Sequence, residues 1–441
     1  MFFKGRILFY PLLKKLLKLL PLSPTAINNV KVKGGALYIA ILVSIIIGII
    51  LCMFIMIANF NQRNVTKYAQ ASQLNFNLQS AFEMAQSDYF TEEKNNKWIK
   101  NTLNEDSLKI KKMYWGAYLL ITAQTKNRHH SLSQSGLYGS VMPSDTGLMI
   151  SDNSRPVGLS GAIVFKANCY LPKAGIKGVF IEGQSFINSP QNTGFTKISP
   201  MQIPLVDKGI IEEIKQQQNN SNVYLDSVVS FLPQNYDQSF NNKTIVFEVS
   251  GQLNNMHLKN NIKIIGKNIE ISNTCTLENV LIVCDKVKFK EGFKGKVHVI
   301  AGDSIITEKK CEFNYPSSFV LLPKESETNT LNWIDINEDC KFYGGILALN
   351  KSDNQNSTKV FIKLNGKCEV NGFIYSSDYL HLQGKMNATI ICDKLLLKTP
   401  SAVYENHMLA CEIDPKKYSH LLAIPQIFKK TARLMCCQKM N

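Results

Sequence analysis

The pattern of apolar and polar positions divides the chain into unlike stretches. From Gly34 to Gln62 there is no charged residue, and the apolar run Ala36–Phe60 (ALYIAILVSIIIGIILCMFIMIANF) is 25 residues long. As an α-helix such a run would measure roughly 37 Å, more than the ~30 Å hydrocarbon core of a bilayer. A buried core helix of that length is normally interrupted by polar residues, so the pattern predicts a transmembrane helix over 36–60. Beyond it, Ala71, Leu74, Leu78, Ala81, Phe82, Ala85 and Tyr89 recur at helical spacing, which extends the prediction into a helical stalk, 61–108.

The rest reads as β structure. A mixed β domain is expected over 109–235. Met113–Thr125 and Gly161–Phe165 are apolar and strand-like, and Tyr170–Gln184 is a strand, turn and strand punctuated by Pro172, Gly175, Gly178 and Gly183. The polar stretch Glu212–Asn222 predicts a surface helix or connection. Over 236–411 the pattern repeats: Ile269, Val287 and Ile305 are 18 residues apart, and so are Ile271, Phe289 and Thr307, and Cys275, Phe293 and Cys311. Parallel registers of this kind, with short apolar strands between Gly or Asn turns, predict the coils of a parallel β-helix, an inward ladder stacking coil on coil. Cys340-Lys-Phe-Tyr-Gly-Gly-Ile is echoed at Cys368-Glu-Val-Asn-Gly-Phe-Ile, with the polar stretch Lys351–Lys359 as an inserted loop. An ordinary sandwich with coincidental spacing is the alternative. The remainder, 412–441, reads as a basic tail that packs on the end of the coils or hangs free. The expected fold class is therefore mainly β: a single N-terminal transmembrane helix and helical stalk, a mixed β domain and a C-terminal parallel β-helix (solenoid).

The segment before the apolar run, 1–35, carries Lys4, Arg6, Lys14, Lys15, Lys18, Lys31 and Lys33 and no acid. Positive flanks stay on the cytoplasmic side, which predicts a basic cytoplasmic leader, the N-terminus inside and the bulk of the chain outside. Within the leader, Ile7–Leu22 interleaves leucine with lysine, as an amphipathic helix on an anionic membrane surface would; a disordered leader that only sets topology is the alternative. A secretory signal peptide would have a shorter apolar region and a small-x-small exit.

Lys33-Gly34-Gly35 followed by Ala36-Leu37-Tyr38-Ile39-Ala40-Ile41-Leu42 resembles the start of type IV pilin-like and pseudopilin-like proteins, especially the PilX-like minor pilins. The resemblance covers about 60 N-terminal residues. It implies cleavage by a prepilin peptidase between Gly35 and Ala36, which would make Ala36 the new N-terminus. Where major pilins carry glutamate at the fifth mature position this chain has Ala40, and its leader is long for the family; a permanent signal anchor is the other reading. The coil region is similar in style to bactofilin-like polymer-forming solenoids.

Composition narrows the partners. The net charge is +16, from 50 Lys plus Arg against 34 Asp plus Glu, and no arginine lies between Arg155 and Arg433. Nucleic-acid interfaces favour arginine for bidentate contacts, so no nucleic-acid partner is expected, and a polyanion such as a surface polysaccharide or an anionic lipid fits better. The lysine, asparagine and isoleucine bias suggests a bacterial envelope protein from an AT-rich genome. Eleven cysteines make no CxxC pair, and no His-x3–5-His accompanies them, so no structural zinc site and no cofactor is expected. Most read as small apolar fillers; Cys436-Cys437 receives no role. Asp378 and Asp393, one coil apart, approach the spacing of paired catalytic carboxylates, but each sits at a turn where aspartate is routine. His129-His130 lies in a polar loop, and His407 reads as part of a cap. No G-x-S-x-G or H-E-x-x-H occurs.

These readings combine into one expectation. It is a single-pass protein of the bacterial cytoplasmic (inner) membrane with its bulk in the periplasm or outside the cell, structural or assembly-related. A minor pilin- or pseudopilin-like subunit of a secretion or surface-filament system is the specific form, associating with itself or with envelope components. The alternative is a membrane-anchored β-helix enzyme or binding module acting on polysaccharide. No catalytic residue is assigned; the marked positions are Gly35 and Ala36 for processing and Ile269, Val287, Ile305, Cys275, Phe293 and Cys311 for the coil ladder.

Overall fold

The computed structural model describes residues 35–87, 90–100, 106–128, 130–141, 145–188, 193–219, 227–231, 233–324, 331–350, 358–417, 422–428 and 434–440. The protein is mainly β with one long apolar helix near the N-terminus. Two compact units meet within that helix, at Gln70 and Ala71.

Helix α1 runs Gly35–Gln86. In the first unit every residue from Ala36 to Phe60 is exposed. It is long and apolar enough to cross a membrane. Ser44 folds its hydroxyl back onto the Ala40 carbonyl at 2.8 Å, so its polar group is satisfied within the helix.

In the second unit the end of α1 behaves differently. Leu74, Leu78, Ala81, Phe82 and Ala85 are buried, because they line up on one face and meet a sheet. That sheet is antiparallel and has six strands, Trp98–Lys100, Ser107–Trp115, Tyr118–Lys126, Ser131–Val141, Ala423–Ile424 and Leu434–Met440. Ile110, Leu119, Ile121, Ala123 and Tyr138 form its helix-facing core. Of the stalk stripe predicted above, Ala71 is exposed and Tyr89 lies outside the described residues. Helix α1 ends at Gln86 rather than 108, followed by one 3-10 turn at Glu92–Lys94 and the first strand at Trp98.

The larger β system is parallel. Successive strands align in three stacks around one continuous apolar core. In one stack Ile269 pairs with Val287, Val287 with Ile305, Ile305 with Ile334, Ile334 with Ile362 and Ile362 with Leu380. In a second, Ile264, Ile282, Val299, Phe319, Ile346, Ile374 and Ile390 align. The third aligns Leu258, Leu277, Phe313, Phe342, Val370, Met386 and Ile413 on its inward side. Phenylalanines fill the middle rungs: Phe313 lies 4.9 Å from Phe319, which lies 4.9 Å from Phe342, ring centre to ring centre. Outside, Lys288, Lys290 and Lys309 pair with Glu270, Glu308 and Glu338 between rungs.

Two segments depart from the sequence expectation. Residues 146–198 do not belong to a separate domain. Leu148 pairs with Ile390 and Ile163 with Cys411, so this segment adds rungs at the far end of the parallel stacks. The 412–441 stretch is not a tail: Ala423–Ile424 and Leu434–Met440 complete the antiparallel sheet against Ser131–Val141. Both pairings join residues hundreds of positions apart, which local patterning does not register. Met113–Thr125 is likewise two strands turned at Gly116.

A clasp joins the layers. The sheet turns its second face, with Trp115, Tyr118, Leu120 and Leu137, onto Leu281, Val283, Ile300 and Val320 of the parallel stacks. Helix α2, Lys208–Gln218, is capped by Asp207 accepting from Gly209 N–H at 2.7 Å and buries Ile210 and Ile214 in the same layer. Trp115 donates to the Asn279 carbonyl at 2.7 Å, and Gln217 exchanges hydrogen bonds with both backbone groups of Gly116. Gly116 takes φ +61°, and a Cβ there would stand 2.6 Å from Ser318 Oγ, so glycine is required twice over.

Candidate functional site

Three places carry the functional readings: the exposed helix, the corner of the third stack, and the ends of the parallel system. Gly35 and Ala36 are the first two residues of α1, Gly35 partly covered and Ala36 exposed.

The corner is built by a repeated turn. Asn255, Gly292, Lys310, Asp339 and Lys367 all have φ between 54° and 77°, and each precedes a buried residue: Met256, Phe293, Cys311, Cys340 and Cys368. The left-handed residue turns the chain, and its successor points inward. Backbone bonds link the rungs, Thr276 N–H to Met256, Glu312 N–H to Phe293, Lys341 N–H to Cys311 and Glu369 N–H to Cys340, at 2.8–2.9 Å. Cys275, Phe293 and Cys311 therefore share one core. Cys340, Cys368 and Cys411 belong to it too; each has an apolar residue two places after it, Phe342, Val370 and Ile413, and a polar residue, Asp339 and Lys367, precedes the first two.

Cysteine suits this corner chemically. The chain's change of direction leaves carbonyls outside the regular ladder, and the thiols donate to them: Cys275 to Leu253 at 3.3 Å, Cys311 to Lys290 at 3.3 Å, Cys340 to Glu308 at 3.1 Å and Cys368 to Gln383 at 3.3 Å. The group is thus small enough for the core and polar enough for the turn. Burial pushes Cys275 up, and Cys368 up to about 12. Cys340 goes the other way, held down by the neighbouring Cys311 and then by Thr307, while the same neighbour pushes Cys311 up.

Other marked residues serve structure. Asp378 accepts from Asn350 Nδ2, Lys359 Nζ and Val360 N–H at 3.0, 3.2 and 3.0 Å. Asp393 accepts from Ser151 at 2.6 Å. With their oxygens so engaged, the two act as fasteners between strands. Cys436 packs on the α1 side of the sheet and Cys437 on the parallel side, which explains the adjacent pair: they face opposite layers. Cys437 is pushed up to about 12 by burial. His407 touches Tyr404 near the last rungs, and His129 lies outside the described residues. Among the described residues no group of three metal-ligating side chains converges.

Among the described residues the ends of the parallel system are left without a further strand. At one, Ser227–Val229, Asn235–Gln238 and Gly251–Leu253 each have one parallel neighbour. At the other, Ile176–Gly178, Ile187–Asn188 and Thr196–Ile198 do. Large apolar side chains surround the second end: Phe180, Ile187, Phe195, Ile198 and Met201 are 60–85 % exposed. The first end adds Val228 and Phe231.

No family model, characterised protein or solved structure matches the chain.

Proposed function

We propose that this is a membrane-anchored structural protein of the bacterial envelope whose parallel stacks form a β-helix (solenoid) that assembles end to end. Its anchor is the 36–60 segment of α1, with the N-terminus inside and the β regions outside. The observation that carries the reading is the exposed apolar rim at Phe180, Ile187, Phe195 and Ile198 beside strands with a single neighbour. Unpaired parallel edges at both ends are complementary by construction, since each offers the backbone groups the other lacks. A head-to-tail contact of that kind is heterologous and leads to open filaments. The pilin-like entrance of α1 supports the same class of role, with cleavage between Gly35 and Ala36 as its specific form.

Sedimentation of the full chain in detergent, at several concentrations, tests assembly. The expected result is growth into species larger than dimers, abolished by Ile198→Lys. A monomer at all concentrations removes the reading. Mass and terminal sequencing of the native membrane protein test processing: a start at Ala36 supports it, and a start near Met1 leaves a permanent anchor.

A further inference from the structure

Two of the corner thiols stand where oxidation can join them. Cys311 and Cys340 occupy successive rungs: Lys341 N–H donates to the Cys311 carbonyl at 2.9 Å, and Glu312 and Lys341 are register partners. Parallel neighbours lie about 4.8 Å apart, inside the roughly 4.4–6.8 Å between Cα atoms that a disulfide spans. Both side chains enter the same core corner, and Cys340 aims its sulfur at the Glu308 carbonyl, on the rung of Cys311. The other corner cysteines are placed less well. Phe293 intervenes between Cys275 and Cys311, and the rung of Gly384 between Cys368 and Cys411. Cys340 and Cys368 also occupy successive rungs, Glu369 N–H donating to the Cys340 carbonyl at 2.9 Å, but Cys368 directs its sulfur away, to Gln383 on the following rung, and Cys340 directs its own to Glu308 on the preceding one.

The geometry points to Cys311 and Cys340 as an oxidative modification site, a thiol pair that peroxide converts into a disulfide stapling two rungs of the parallel core. The inference stands independently of end-to-end assembly. Cys340 is the attacking sulfur, because Thr307 Oγ1, 3.6 Å away, can donate to its thiolate. Its thiolate attacks one peroxide oxygen, the O–O bond breaks, and hydroxide leaves a sulfenic acid behind. The Cys311 sulfur then loses its proton and attacks Cys340 sulfur; the S–O bond breaks and the departing hydroxide takes up that proton as water. Two thiols lose two electrons and two protons, and the peroxide becomes two waters. Access is short, because exposed Lys310 and Asp339 immediately precede the two cysteines, and peroxide is scarcely larger than water.

The test is hydrogen peroxide titration of the full chain in detergent, followed by unfolding, alkylation and tryptic mass mapping. Trypsin places the two cysteines on separate peptides, 311–324 and 325–341. The expected product is those two peptides joined and two hydrogens lighter than their sum, with Cys340 lost about tenfold faster than Cys275 or Cys368. Cys311→Ser should replace the link by a dimedone-trapped sulfenic acid at Cys340, whereas Cys368→Ser should leave the link intact. A link from Cys340 to Cys368, no link at all, or equal loss at every corner cysteine overturns the assignment.

Discussion

The parallel stacks and the antiparallel sheet are both β, yet they are held in place by different information. From Ile262 to Lys398 the stacks repeat: each rung buries the same positions against the rung before, so a residue's partner there is a short distance along the chain. The sheet closes with Leu434–Met440 on Ser131–Val141, and its two faces are covered by α1 on one side and the stacks on the other. One is a periodic core that needs only its neighbours. The other is a middle layer that exists because two distant segments and two covering surfaces meet.

The comparison is broken most forcefully inside the stacks. Gly344 and Gly372 are register partners, and a Cβ on Gly344 would stand 1.9 Å from the Ser317 carbonyl oxygen. Gly344→Ala should therefore cost more than about 4 kcal/mol and lower the urea midpoint of both layers together. Trp115→Ala removes a buried indole and its bond to the Asn279 carbonyl. It should cost about 3–5 kcal/mol, and hydrogen exchange should quicken in Ser107–Lys126 before it does in the stacks. Equal quickening in both would mean the layers unfold as one.

Acid sharpens the contrast at their junction. His298 is wholly buried, takes or gives a hydrogen bond with Ser318 at 3.0 Å, and leaves Nε2 without a partner. Burial, and then the charge of Lys296, hold it down at about 3. The unfolded chain takes up this proton near 6.5 and the folded chain only near 3. The unfolded state thus binds more protons in that window, and stability falls as pH drops through it, by about 2–3 kcal/mol between pH 6.5 and 4.5. His298→Gln should flatten that part of the urea-midpoint profile; an unchanged slope would assign it to other groups. The smallest effect belongs to the outer charge rows. Glu308 is held low by Lys288 at 2.7 Å, yet both are partly exposed, so Glu308→Gln should change stability by under ~1 kcal/mol.

What was legible in the sequence follows the same division. The 18-residue spacing of Ile269, Val287 and Ile305 appears as direct strand pairing, since a stacked rung has to place equivalent side chains at equivalent positions. The Cys340 and Cys368 echo is also a rung repeat, Lys341 paired with Glu369. Leu148 beside Ile390 leaves no such trace: nothing periodic connects them, and only the closed fold brings them together. Cys437 was unreadable because its meaning is the layer it faces, which is a property of the sheet and not of its own neighbours in the chain. The exposed rim at Phe195 and Ile198 was hidden for a similar reason, as a strand's position at an end depends on what fails to pair with it.

The late placement of the first rungs has a consequence for biosynthesis. Residues 146–171 leave the ribosome more than two hundred residues before Ile390 and Cys411, against which they pair. During that interval these strands can pair only with one another and with 176–198, so the edge that later meets Ile390 and Cys411 stays open for most of the synthesis. A helper that shields such strands, or a pause that holds the chain until its last third arrives, would therefore matter more to the yield of this protein than to its final stability.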